Sequence, residues 1–441
     1  MKIQLSDHFT YGKLFKFVIS SVIMMIFSSL YSVVDGLFIA NIVGRNALAS
    51  INIIYPLIMI IASFGFMLGT GGGAIISKTL GQNDNERANK YFTMFVYSIV
   101  IFGVVVSTLC IIFTKQIAYL FGANELLIKD CVIYGRILLI GVTPFMLQNA
   151  FQTFLIIAEK PHLGLALNLI CGTTNIVLDF VFVYVLKMGI AGAGLATITG
   201  YLIGGIVPLI YFIVNKKVNL KFTKFKFYPR VFLNSCINGS SEMLTNISMS
   251  IITMLYNLQM MKLIGEDGVA SITVIMYVNF VFVSSFLGFS IGTAPIIGYN
   301  YGADNDFELK NMFSKSIKII SVTSVVMFIL SEVLAETLVG LFVKDALFDM
   351  TLHGFRLYSI SFLLCGINIY ASSFFTALNN GLLSAIISVL RSFLLQAIMI
   401  LLLPKFLDLN GIWLSVVFSE LITSVVSITL LIKNKHKYNY A

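Results

Sequence analysis

Between Leu14 and Phe38 the chain reads LFKFVISSVIMMIFSSLYSVVDGLF, an apolar run as long as a bilayer is thick. About 20 such residues, rising ~1.5 Å each, cross the ~30 Å hydrocarbon core of a membrane as a helix. Lipid offers no partner for backbone N–H and C=O groups, so a run of this kind must satisfy its own backbone, which a helix does. The pattern recurs twelve times, at 14–38, 51–76, 91–113, 133–157, 163–184, 191–214, 231–258, 272–297, 312–334, 357–377, 382–403 and 411–432. Composition agrees. Charged residues are 11% of the chain and hydrophobic ones 58%, with a mean hydropathy of +0.94, whereas soluble chains carry about 25% charged residues. The expected fold is an all-α membrane protein. The first run is longer than the roughly 7–15-residue core of a cleavable signal and reads as a permanent span.

The net charge of +9 reports orientation rather than nucleic-acid binding. With the N-terminus inside, eighteen Lys and Arg fall at inner ends and loops, among them Lys2, Lys78, Arg87, Lys216, Lys217 and Lys433, against seven outside, including Arg45 and Lys262. Basic residues concentrate on the cytoplasmic side, so both termini are expected in the cytoplasm, with the bilayer as the chain's surroundings. The longest polar connection, NKKVNLKFTKFKFYPR (215–230), reads as a basic cytoplasmic linker, with contact to anionic lipid as the alternative.

That linker divides the chain into residues 1–214 and 231–441, six spans each. The halves match at a constant shift of 221 residues: Gly44/Gly265, Ala49/Ala270, Ser50/Ser271, Gly71/Gly292, Ile75/Ile296 and Gly81/Gly302 coincide without gaps. A second match pairs Gly192 with Gly411 and Leu195 with Leu414. Copies separated by an even number of spans share one orientation, and parallel repeats about a membrane-normal axis are a transporter architecture. Two pseudo-symmetric six-helix lobes around a central cavity are expected, rocking to expose it to one side and then the other.

An ionisable side chain at mid-membrane costs roughly 2.5–3.5 kcal/mol on insertion scales, so each one needs a reason. The first half offers Asp35 late in its first span and Asp179 late in its fifth, where Asn168, Asn175 and Asp179 share one helical face. Thr197 and Thr199 come early in the sixth span, at similar depth, and Asn149 lies deeper in the fourth. Two carboxylates with neutral oxygens suit Na⁺, which Asp35, Asn175 and Asp179 would bind, or a proton shared between the acids. A plainer arrangement also meets the pattern: Asp35 at an interface, and Asp179 bonded to Asn175. The second half has Glu242, Arg391 and Glu420. Asp35 aligns with Tyr256 and Asp179 with Ile398, so the acid pair is not duplicated. Glu242 either meets a cationic substrate or pairs with Arg391 or a backbone group. Arg391 and Glu420 read as structural pairs.

The five cysteines form no C-x-x-C pair and read as buried free thiols, and the four histidines make no metal-binding pattern. GGAIISKT (72–79) falls short of a phosphate-binding loop, with Ser77 where the second glycine belongs. Without a nucleotide site, transport must run on an ion gradient.

SLYSVVDGLFIANIVGRNALASINIIYP (29–56) resembles the first-span signature of multidrug and toxic compound extrusion (MATE) transporters. NGSSEM (238–243) and GFRLYSISFLLCGINIYASSFFTALNN (354–380) are similar to the MepA-like bacterial branch, and the likeness spans essentially the whole chain. The resemblance implies a non-enzymatic antiporter, with no cofactor beyond a coupling H⁺ or Na⁺, that expels amphipathic, often cationic small molecules. It implies a monomer in the bacterial plasma membrane. It also implies a cation site in the first lobe, onto which Asp35, Asn149, Asn175, Asp179 and Thr197 map one by one. Some relatives bend the first span at a proline; Ser20 stands there in this chain. Others use a carboxylate in the tenth span, which is absent here. The rival within the superfamily is a lipid-linked saccharide flippase, which calls for an Arg-rich cavity. A membrane-embedded enzyme would need a catalytic polar set.

Overall fold

A computed structural model describes residues 3–215, 218–344 and 346–441, and the described residues are almost entirely helical. Lys2, Lys216 and Lys217, counted above for orientation, lie outside the described residues. Twelve helical rods run in order: Tyr11–Ile42, Arg45–Gly81, Asn85–Ile112, Ile128–Ile157, Pro161–Val185, Gly189–Val214, Pro229–Leu263, Glu266–Gly302, Asp306–Gly340, then a bent pair Ala346–Ser359 and Phe362–Ala377, then Gly381–Leu402 and Pro404–Tyr438. They are called spans 1 to 12 below. Ten are long and apolar enough to cross a membrane singly, and the bent pair makes an eleventh. Span 7 carries NGSSEMLTN and is the least apolar, yet it forms a 35-residue helix inside the bundle.

The tenth span departs from the single run expected at 357–377. It breaks by 48° between Ser359 and Phe362. No proline or glycine marks the break. The turn is held by Ser361 N–H donating to Tyr358 O and by Ser359 Oγ donating to Glu332 Oε1 at 2.6 Å. Spans 5 and 11 each contain a widened π-helical turn, at Phe180–Val185 and Leu390–Leu394. The first helix runs unbroken through Ser20, whose hydroxyl meets His162 Nδ1 at 2.8 Å.

Both ends of the chain and the linker gather on one face of the bundle. Leu5 N–H donates to Glu159 between spans 4 and 5, Asn300 Nδ2 donates to Leu5 O, and Asn439 donates to Asp306. The linker lies along span 3: Lys221 N–H donates to Asn89 Oδ1 at 2.7 Å, Thr223 N–H to Thr93 Oγ1, and Phe222 packs on Phe92. Its described basic side chains, Lys221, Lys224, Lys226 and Arg230, point to the exterior.

Near this linker face the two halves touch backbone to backbone through glycines. A methyl on Gly81 would lie 2.0 Å from Tyr299 O, and one on Gly302 would lie 2.0 Å from Lys78 O. These contacts exchange under the 221-residue shift, since Lys78 corresponds to Tyr299 and Gly81 to Gly302. Gly71 against the Gly239 backbone and Gly292 against the Val18 side chain stand at a second pair of corresponding positions, of which only the first is backbone to backbone. Only residues without a side chain allow helices this close.

Candidate functional site

The face shared by spans 1 and 5 is where the intramembrane acids fall. Asp35 lies seven residues before the end of span 1, about 10 Å from its tip at ~1.5 Å per residue. Asp179 closes the regular part of span 5, immediately before the π-helical turn. The two spans meet in register. Seven residues before Asp35, Ser28 Oγ donates to Asn168 Oδ1 at 3.1 Å. Between these levels Gly172 admits the rings of Phe27 and Tyr31, whose carbons stand 2.6 and 2.9 Å from where a methyl would be. The next polar pair along the seam is Asp35 and Asp179, whose carboxyl groups come within hydrogen-bonding reach of each other.

Asp179 is 2% exposed, and neither of its oxygens receives a donor from the rest of the protein, nor does Asp35 Oδ1. Two ionised carboxylates in that position repel, and burial away from water adds to the cost. One positive charge, or one proton between them, removes the repulsion and lowers the buried charge from two to one. The acid–acid contact is itself a hydrogen bond only when one member carries a proton.

The remaining expected residues divide. Asn175 is buried one turn below Asp179 and faces Gly200 of span 6, its Cβ 3.8 Å from that glycine's Cβ position. Thr197, one turn from Gly200, donates its hydroxyl to Ala193 O at 3.0 Å and keeps its lone pairs for another partner. Asn149 lies elsewhere. Gly141 of span 4 packs on Ile198 and Gln148 on Gly204, so Asn149 sits about two turns nearer the linker face than Thr197. Its Nδ2 is buried without a partner. Four tyrosines not picked out from the sequence surround the acids. Tyr31, Tyr55, Tyr134 and Tyr201 stand within electrostatic range of Asp35, and Tyr134 also of Asp179. Tyr55 is 39% exposed, so one of these tyrosines reaches the protein surface. One signal was available: Tyr31 precedes Asp35 by four residues, on the same helical face.

The second half has no copy of this arrangement. Tyr256, at the position of Asp35, meets Ser415 Oγ at 2.9 Å and accepts from Gln396. Arg391 and Glu420 pair with each other, Nε to Oε1 at 2.9 Å, and Asn368 Nδ2 donates to Glu420 Oε2 at 2.7 Å. Glu242 lies within electrostatic range of Arg391 but is not its hydrogen-bonded partner. Instead it borders a small cavity between the halves, with Thr70, Ser77, Thr153, Ser373 and Thr376.

The MatE family model matches residues 20–181 and 242–402. The multidrug export protein MepA of Staphylococcus saprophyticus is 24% identical over 383 residues, covering 83% of this chain and 84% of its own. That of Staphylococcus haemolyticus is 25% identical over 381 residues, covering 83% of each. Among solved structures, a MATE protein in complex with MaL6 superposes with a TM-score of 0.92 at 21% identity over 97% of both chains. An outward-facing multidrug resistance MATE transporter of the MOP superfamily gives 0.91 at 21% identity, over 97% of this chain and 96% of its own. At that identity the superpositions establish the fold, an all-α membrane bundle.

Proposed function

The chain belongs to the MATE family of transporters, and on that premise we propose that it is a proton-driven antiporter exporting amphipathic, often cationic small molecules. Membership makes it a multi-pass bacterial membrane protein and a transporter rather than an enzyme. The export of drugs named for its staphylococcal relatives supports the cargo class. The observation that carries the coupling is the contact of Asp35 with the buried Asp179, where both Asp179 oxygens and Asp35 Oδ1 find no donor.

In this reading residues 1–214 and 231–441 are two lobes, joined by the linker 215–230, that rock about the glycine seam of spans 2 and 8. Both termini are cytoplasmic, so the linker face is the cytoplasmic face and the acids open to the exterior. A proton entering past the tyrosines is shared by the two acids and leaves the pair with one negative charge instead of two. Asn175 and Thr197 orient the carboxyl groups, and Asn149 lines the deeper path. With the repulsion gone and half the charge removed, spans 1 and 5 close over a site that would otherwise need water, which favours release of cargo outward and turning of the emptied lobes. Glu242, facing the space between the halves, offers a negative charge for cationic cargo from the cytoplasm. Each step biases a two-state equilibrium only by the difference in affinity between the states.

Asp35→Asn and Asp179→Asn, expressed in cells lacking their own pumps, test this directly. Both are expected to accumulate a fluorescent cation as the empty cell does, with normal amounts of folded protein. Full efflux by both variants would sink the proposal. A single ion-free mode, with substrate leaving down its own gradient, would appear as efflux insensitive to both substitutions.

A further inference from the structure

Where the linker ends of the two halves close together they enclose a pocket whose polar lining comes from both. Thr70 and Ser77 come from span 2 and Thr153 from span 4; Glu242 comes from span 7, and Ser373 and Thr376 from span 10. Asn379 Nδ2 bridges the halves just beneath, reaching Ala74 O at 3.4 Å. The space, about 30 Å³, is too small for a drug and holds roughly two or three water-sized particles.

The donors are arranged for a cation. Thr70 Oγ1 donates to Phe66 O at 2.9 Å and Ser373 Oγ to Ser290 O at 3.3 Å, while Thr376 Oγ1 meets Ser372 O at 3.2 Å and Ser384 Oγ at 2.7 Å. The hydrogens of Thr70 and Ser373 are spent on carbonyls, so their lone pairs remain for another partner. Ser77 is 0% exposed and its Oγ has no partner at all, although it borders the pocket. Glu242 is the one carboxylate in the lining. The nearby Arg391 is held by Glu420, and those two charges offset each other. What is left is one negative charge, several neutral hard oxygens and one orphaned hydroxyl, in a space of ionic size. Hard oxygen donors of this kind select alkali or alkaline-earth cations over softer metals, and a single carboxylate balances one positive charge.

We infer that this pocket binds a small monovalent cation of the Na⁺ class, and that its occupancy locks the linker face shut. The lock follows from the origin of the ligands. They surround one point only while spans 2 and 4 stand against spans 7 and 10. An ion that binds the closed arrangement and not the open one stabilises the closed arrangement by mass action. The pocket is separate from the Asp35–Asp179 pair, and its action is a gate rather than the driving step.

The test uses the full-length protein in detergent, its melting temperature followed as NaCl replaces choline chloride at constant ionic strength and pH. Na⁺ is expected to raise the melting temperature of the wild type, and equally that of the Asp35→Asn/Asp179→Asn double variant. In Glu242→Gln the NaCl concentration giving half the effect rises about tenfold or more, the scale of losing one charge-assisted contact. Ser77→Ala, which removes a single buried oxygen, raises it severalfold and covers the case in which the Glu242 variant fails to fold. The absence of any Na⁺ effect in the wild type overturns the inference. So does an effect that both pocket variants leave intact. An effect lost only in the double aspartate variant moves the ion to the acid pair and likewise overturns it, without touching the proposal that those acids drive transport.

Discussion

Gly302→Ala isolates the seam on which the proposed alternation depends. The added methyl would lie 2.0 Å from Lys78 O and 2.7 Å from the Lys78 carbonyl carbon. A carbon essentially never approaches another heavy atom closer than 3.0 Å, so spans 2 and 8 must part by about 1 Å at this level. The obstacle is backbone, which no rotamer change relieves. Inserting one methyl into a packed interface costs about 1–3 kcal/mol. In the proposed cycle only the arrangement with the linker face closed bears that cost, so the equilibrium is expected to move toward the open arrangement by about 5- to 150-fold. The reporter is Ala74→Cys, at a buried position on the seam, with Cys110, Cys131, Cys171, Cys236 and Cys365 removed. Its modification by a water-soluble maleimide supplied to the linker side should quicken by a factor in that range. Gly12→Ala, with nothing within 4 Å of the added methyl, is the matched control and should change nothing. Equal labelling rates for Gly302→Ala and the control, in folded protein, would refute the idea that this crossing is a state-specific contact.

Three further outcomes follow from local geometry. Gly172→Ala pushes the rings of Phe27 and Tyr31 off span 5, beside the acid pair; the efflux rate per folded molecule should fall, and an unchanged rate would remove Tyr31 from the mechanism. Glu420→Ala strands the Arg391 guanidinium, whose side chain is 16% exposed. Breaking a buried pair in this way costs about 3–5 kcal/mol, seen as a lower melting temperature that the double variant Arg391→Met/Glu420→Leu largely restores. Glu308 is 2% exposed and accepts from His8, the Phe9 N–H and Asn311. Glu308→Ala leaves those donors unpaired at about 1–3 kcal/mol and should make the segment before span 1 an early site of limited proteolysis, where the wild type resists.

The membrane fold was legible because hydrophobic length is a direct physical requirement of a bilayer. Runs such as Asn85–Ile112 announce themselves, and the expected edges fall within several residues of the helix ends. What escaped reading was geometry set by packing between distant spans. The break at Ser359–Phe362 carries no proline or glycine; it is held by Glu332 of another span. The π-helical turns at Phe180–Val185 and Leu390–Leu394 leave no mark in composition. Asp35 and Asp179 stood out because a carboxylate in an apolar run is costly. The tyrosines around them did not, since an aromatic residue in a membrane helix is ordinary. Arg391 and Glu420 were expected to be structural, and their partner in each case is the other. Ser20, in place of an expected proline, gives span 1 a hydrogen bond to His162 and an unbroken helix.

The most direct test of proton coupling at the acid pair is substrate uptake into proteoliposomes of the full-length protein, in sodium-free buffer, under an imposed pH gradient. The wild type should concentrate an amphipathic fluorescent cation only while the gradient lasts, and the Asp35→Asn/Asp179→Asn double variant should not concentrate it at all. No uptake under the pH gradient but uptake once a Na⁺ gradient replaces it, or uptake that survives in the double variant, would contradict the account.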